Sequence, residues 1–156
     1  MAKEEEQKDA NKAPSFQISA QYIKDLSFEH PHAPHRLFSA DQKPTIDVAV
    51  DLKAQKLQDG VYEVTLHLTV RAFTKENSVF LVDLTYAGIF QISNIPTENM
   101  ERVLMIDCPF IMFPYARRVV SDITRDGGFP PLTLEPIDFN QLYAQNMRRN
   151  AEGAKS

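Results

Sequence analysis

The sequence predicts an α+β domain: a four-stranded antiparallel β-sheet with helices packed on one face. Three observations carry that expectation. Apolar and polar residues alternate over four segments between Phe16 and Tyr86, the period of strands with one buried face. Two of the links between them are short and rich in turn-forming residues. Beyond Gly88 the apolar spacing changes to that of helices, and strands followed by helices describe a sheet covered on one side.

In the first strand Phe16, Ile18, Ala20, Tyr22, Leu26 and Phe28 alternate with Gln17, Ser19, Gln21, Asp25, Ser27 and Glu29. Ile46, Val48, Val50 and Leu52 form the apolar side of the second strand. Tyr62, Val64, Leu66, Leu68, Val70 and Ala72 do so in the third, and Phe80, Val82, Leu84 and Tyr86 in the fourth. Gln58-Asp59-Gly60 and Thr74-Lys75-Glu76-Asn77 suit hairpins, whereas His30 to Pro44 carries three prolines and reads as an irregular loop. Thr97 is the expected N-cap of a helix bearing Met100, Val103, Leu104 and Cys108 on one stripe. Pro109 is expected to stop or kink it and Pro114 to open a second helix, with Ala116, Val119, Val120 and Ile123 apolar and Gly127-Gly128 as its stop. Phe129 to Pro136 is an extended apolar segment. Asp138 and Gln141 then resemble a capping box that opens a last helix presenting Phe139, Leu142, Tyr143 and Met147.

The expected organisation is a disordered N-terminal tail over 1–14, one domain over 15–148 and a flexible C-terminal tail over 149–156. The net charge of −4 argues against general nucleic-acid binding. No apolar run is long enough to span a bilayer and the N-terminus has no apolar signal region, so a cytoplasmic protein without direct membrane insertion is expected. Glycine-rich phosphate loops, nucleophile elbows and paired-cysteine motifs are absent from the sequence. No catalytic residue, metal or cofactor is assigned, and the chain reads as a non-enzyme. Cys108, the single cysteine, reads as a small buried hydrophobe. His30, His32 and His35 could in principle ligate a metal but read more simply as solvated imidazoles on a proline-shaped loop, and His67 as a cross-strand partner.

Two features exceed what a plain monomer needs. Large apolar side chains crowd the segments 109–115 and 129–134 and the last helix: Phe110, Met112, Phe113, Phe129, Leu132, Leu134, Tyr143 and Met147. Adaptable Met- and Phe-rich surfaces suit recognition of variable sequences, although the same residues also fill cores and oligomer interfaces. The second feature is an acidic odd-numbered sheet face with Asp25, Glu29, Asp47, Asp51, Glu63 and Asp83, among which Leu81 is apolar. It is either a charged, solvated face or a docking surface for a basic partner.

Phe16-Gln17-Ile18, Tyr22 to Glu29 and Pro31-His32-Ala33-Pro34 resemble the start of the SecB family of protein-export chaperones. Val61 to Val64, Gly88-Ile89-Phe90, Cys108-Pro109, Phe113 to Arg117, Phe129 to Leu132 and Pro136 to Phe139 continue the resemblance in the same order, over roughly residues 15–148. It implies an ATP-independent cytosolic holding chaperone that binds unfolded precursor proteins, keeps them competent for translocation and delivers them to the SecA motor. It also implies a homotetramer, a dimer of dimers. The family's SecA-contact pattern falls on Asp25, Glu29, Leu81 and Asp83, with Asp83 standing where relatives often carry Glu. The family's aromatic groove position falls on Tyr143. With it, Met112, Phe113, Phe129, Leu132, Leu134, Phe139, Leu142 and Met147 are the expected groove for unfolded substrate. Val82, Leu84 and Tyr86 are expected to face helices or the contact between dimers. An adaptor that tethers SecA without holding substrate would need the acidic face and not the groove.

Overall fold

A computed structural model describes residues 13–35 and 43–154. Most of the expected N-terminal tail (1–12) and part of the proline-bearing loop (36–42) therefore lie outside the described residues. Four antiparallel strands, β1 (Ser15–Glu29), β2 (Thr45–Gln58), β3 (Val61–Phe73) and β4 (Ser78–Ser93), pair in the order β1-β4-β3-β2. Both hairpins form where turn residues were read, at Asp59-Gly60 and at Thr74 to Asn77, where the Thr74 amide donates to the Asn77 carbonyl at 2.9 Å. β4 runs past Gly88 to Ser93, further than the sequence reading, and brings Phe90 and Ile92 into the core.

The even-numbered residues of β3 and β4 form the floor of the core. Val64, Leu66, Leu68, Val70, Ala72, Val82 and Leu84 are fully buried. They lie beneath one helical run: α1 (Thr97–Arg102), a π-helical turn (Val103–Asp107) and α2 (Cys108–Asp126). Leu104, Ile106, Cys108, Met112, Ala116 and Val120 supply its apolar stripe.

The two separate helices expected from the sequence are thus continuous. Pro109 lacks an amide donor and its ring crowds the carbonyl four residues back; the wider π turn directly before it relieves both effects. Pro114 lies inside α2 rather than at its start. It is exposed, as is Phe110, so the carbonyl left unpaired faces water. Pro96, not Thr97, occupies the N-cap position, with no side-chain cap.

α2 ends as read. Gly128 adopts φ 93°, and the amides of Gly128 and Phe129 donate to the carbonyls of Arg125 and Thr124, a Schellman closure. Thr124, buried inside α2, accepts the Leu132 amide on Oγ1 at 3.0 Å and so ties the extended segment after the helix back to it. The last helix, α3 (Phe139–Ala154), is capped by Asp138, whose Oδ1 accepts the Gln141 amide at 3.1 Å. It continues through Ala154, beyond the boundary set at residue 148 from composition.

At the junction of β1, α2 and the following segment, Phe28 stacks on Phe80 at 6.0 Å and meets Phe129 at 6.3 Å. A Cβ at Gly127 would intrude on the Phe28 ring, and these neighbours keep the ring from swinging aside. Gly127→Ala is expected to lower stability by about 1–3 kcal/mol, as overpacking does. Urea unfolding of the two proteins measures it, and equal midpoints would contradict the packing described.

Candidate functional site: two faces of one sheet

The register of β1 against β4 contains two bulges, at Ser19 and Lys24. Each inserts an unpaired residue and reverses the alternation, so strict parity fails along this strand. Between the bulges Gln21 and Ile23 lie on the helix side, opposite Gly88 and Tyr86, while Ala20 and Tyr22 lie on the outer side. The sequence reading had Ala20 and Tyr22 facing the core. The broken pattern at Tyr22-Ile23-Lys24, with two large apolar neighbours, was the signal available.

The outer face gathers the expected partner-binding residues. Glu29 pairs directly with Leu81, which pairs in turn with Arg71, and Arg71 with Asp47. The next row aligns Ser27, Asp83, Thr69 and Ala49. The row after it aligns Asp25, Thr85, His67 and Asp51. Asp25, Glu29, Leu81 and Asp83 therefore form one patch across β1 and β4, with Leu81 as its apolar member at the Glu29 end. His67 pairs through Nε2 with the Asp83 carboxylate.

Further along the same face the Tyr22 hydroxyl donates to Glu63, and Lys24 Nζ donates to the same carboxylate at 2.9 Å. This latch links β1 to β3 across β4. The hydrogen bond to Glu63, then burial, pushes the Tyr22 hydroxyl up to about 12. The Tyr22 and Lys24 donors hold the Glu63 carboxyl below its usual range.

On the helix face the expected groove residues separate by burial. Met112, Phe113, Leu134 and Phe139 are buried in the core, and Phe113 and Phe139 meet edge to face at 6.1 Å. Phe129, Leu132, Leu142 and Tyr143 are half-buried against that core, and Met147 is exposed. The expected groove residues thus divide into a buried floor and a half-buried set packed against it.

Val82, Leu84 and Tyr86 are not available to another subunit. They are 0%, 0% and 7% exposed, covered by this chain's own helical run. Ile18 on β1 and Ile46 and Val48 on β2, which alternation assigns to the core, remain accessible, as does Ile23, which the alternation does not assign. Four strands span about 14 Å between outer axes, whereas a helix is about 10 Å wide, so one helix over β3 and β4 leaves the edge strands only partly covered. On α2, Phe110 and Tyr115 are also accessible, 70% and 53% exposed.

His30 departs from the solvated loop expected of it: its ring lies 4.5 Å from that of Phe129, and Nδ1 is 3.1 Å from the Gly127 carbonyl, to which it donates. His32 and His35 are exposed, and no metal-holding cluster occurs among the described residues. Cys108 is buried, which pushes its thiol up to about 12 and leaves it inert as a nucleophile.

The sequence profile described as preprotein translocase subunit SecB matches residues 9–150. The chain belongs to the SecB family. It is 46% identical over 142 residues to the protein-export protein SecB of Parvibaculum lavamentivorans, covering 91% of this chain and 84% of that one. It is 45% identical over 148 residues to the SecB of Rhodopseudomonas palustris strain BisB18, covering 95% and 90%. Among solved structures, a SecB-like chaperone of Mycobacterium tuberculosis in complex with a peptide from an antitoxin shares the fold. Its TM-score is 0.66 at 21% identity, covering 78% of this chain and 90% of that one. SecB-family proteins are protein-export chaperones, not enzymes. No helix among the described residues is long and apolar enough to cross a membrane.

Two predictions test this geometry. The Glu63 carboxylate favours the folded state above its ordinary pKa of 4.5, and that contribution is lost as pH falls below it. The neutral Tyr22 hydroxyl favours folding below pH 10.0, a contribution lost between there and about 12. Thermal midpoints should fall in both windows and Glu63→Gln should flatten the acid-side fall; a parallel profile would refute the latch. Val82→Asp should cost about 3 kcal/mol or more of subunit stability, because it buries an unpaired charge. Denaturation and light scattering together would show this, and a stably folded dimer would contradict the burial.

Proposed function

We propose that this chain is an ATP-independent holding chaperone that acts in the cytoplasm, binds unfolded precursor proteins, keeps them translocation-competent and delivers them to SecA. The observation that supports this most strongly is the pairing of two unlike surfaces on a SecB-family subunit. Half-buried apolar side chains lie against the core on the helix side, and an acidic patch that includes Leu81 lies on the outer sheet face. Phe129, Leu132, Leu142, Tyr143 and Met147 would contact substrate, with Met112, Phe113, Leu134 and Phe139 as the buried floor. Asp25, Glu29, Leu81 and Asp83 would meet SecA. The peptide complex of the mycobacterial SecB-like chaperone is consistent with polypeptide capture by this fold.

The proposed working form is a homotetramer, a dimer of dimers. Exposed Ile18, Ile23, Phe110 and Tyr115 are among the accessible apolar residues and would serve subunit contacts. A tetramer would let a long precursor engage several subunits at once, so modest single-site affinities combine through effective concentration. Binding unfolded chains in preference to folded ones shifts their equilibrium away from folding. Capture is then a race between association and folding, which favours slow-folding precursors. Release follows from competition when SecA docks.

Gel filtration with light scattering, with and without a reduced, slow-folding precursor, tests this reading. A tetramer that co-elutes with the unfolded precursor and not with its folded form is expected. A chain that ignores the unfolded precursor yet binds SecA would instead make it an adaptor. Tyr143→Ser should weaken precursor binding about tenfold with the assembled mass unchanged, in the range of a lost aromatic anchor. Undiminished binding would remove Tyr143 from the groove.

A further inference from the structure

The outer face is not acidic throughout. Beyond the row of Asp25 and Asp51 its sign reverses at a shallow cleft of about 480 Å³ walled by Lys24, Lys53, Gln55, Glu63, Thr65 and Thr85. Glu63, the one acid there, is already committed: its side chain is 12% exposed and it accepts from both Tyr22 and Lys24. That contact fixes the Lys24 ammonium at the wall of the cleft while leaving its side chain 50% exposed. Lys53 is exposed on the edge strand β2 and has no ion-pair partner among the described residues. The cleft therefore holds two ammonium groups against one engaged carboxylate, and it lacks an anion.

We propose that this cleft receives a carboxylate, an acidic side chain of the same partner whose basic and apolar groups meet Asp25, Glu29, Leu81 and Asp83. The inference rests on the outer face being the SecA-docking surface and adds a second sign to its recognition. The geometry sets the spacing. Thr85 pairs directly with Asp25, and Lys53 lies one same-face step, about 7 Å, along β2 from Asp51. A partner segment therefore places its acid two residues from a basic group if extended, or one turn away if helical. A partner carrying basic groups alone would be repelled at this end of the face, so the cleft orients as well as attracts.

The sign of one charge reversal decides the matter. If the face simply attracts a basic partner, Lys53→Glu makes it more negative and tightens SecA binding. If the cleft takes a carboxylate, the same substitution weakens binding, by about threefold to tenfold, with Lys53→Gln intermediate. Calorimetric titration of SecA into each full-length variant at low salt gives the answer. Assembled mass and unfolding midpoint serve as fold controls, since Lys53 lies exposed at an edge. Unchanged or tighter binding by Lys53→Glu overturns the proposal. Asp83→Lys is measured alongside: if it loses binding while Lys53→Glu tightens it, only the cleft fails. If Asp83→Lys binds SecA like the parent, the docking face itself fails and the cleft proposal with it.

Discussion

The inner faces of β3 and β4 are sealed by one uninterrupted helical run, and the surface properties follow from how far that cover reaches. A helix about 10 Å across can dry two strands of a sheet about 14 Å wide between outer axes, and α2 lies against those two. Central positions such as Leu66, Leu68, Val82 and Leu84 lose all contact with water, whereas Ile18 and Val48, on the same side of the sheet, keep theirs. The apolar surface available to other molecules is therefore a consequence of incomplete coverage, and it lies along the edges and the exposed side of α2. Continuity of the run matters for the same reason. Had Pro109 ended the helix, the stripe from Leu104 to Val120 could not lie as one line across the sheet; the π turn preserves it.

The outer face depends on a different constraint, the register of β1. With two bulges the strand keeps Phe16, Ile18, Ile23, Leu26 and Phe28 toward the helices while turning Tyr22, Asp25 and Glu29 outward. Strict alternation could not do both, because Tyr22 and Phe28 are separated by an even number of residues and need opposite faces. The Glu63 latch grips β1 on both sides of Ile23, through Tyr22 and Lys24, so the irregularity is held by charge-assisted hydrogen bonds rather than left slack. Register, latch and acidic patch are parts of one arrangement.

The alternation in β2, β3 and β4 was legible because each has a constant register with its neighbours over most of its length. Each side of those strands could therefore be read from period two alone. In β1 the two extra residues carry no compositional mark beyond the Tyr22-Ile23-Lys24 irregularity, and a strict period assigns Tyr22 to the wrong side. The helix interruption failed for a related reason: proline disfavours a regular α turn, but the π turn that accommodates it is set by packing on the sheet. Sequence also could not separate the buried floor from the half-buried set among the groove residues. Phe113 and Phe129, or Leu134 and Leu142, are the same side chains at different depths, and depth is decided by where the segment after α2 folds back through Thr124. Val82 illustrates the same limit, since an apolar strand residue fits a subunit interface or an intrachain core equally well until the helices are placed.

The two surfaces meet at consecutive residues. Ile23 points to the apolar side, Lys24 occupies the bulge at the lysine-walled cleft, and Asp25 belongs to the acidic patch. The core strands β3 and β4 are paired on both flanks, whereas β1 is an edge strand whose bulge at Lys24 is held by the Glu63 latch. On the function proposed above, a subunit contact at Ile23 and a motor docked at Asp25 would bear on the same short piece of backbone. By reciprocity, a contact at Ile23 that favoured docking at Asp25 would itself be favoured by that docking. The bulge at Lys24 is thus the place where one short stretch of β1 turns an apolar side chain to one side of the sheet and an acid to the other, which an unbroken alternation from Tyr22 to Phe28 could not do.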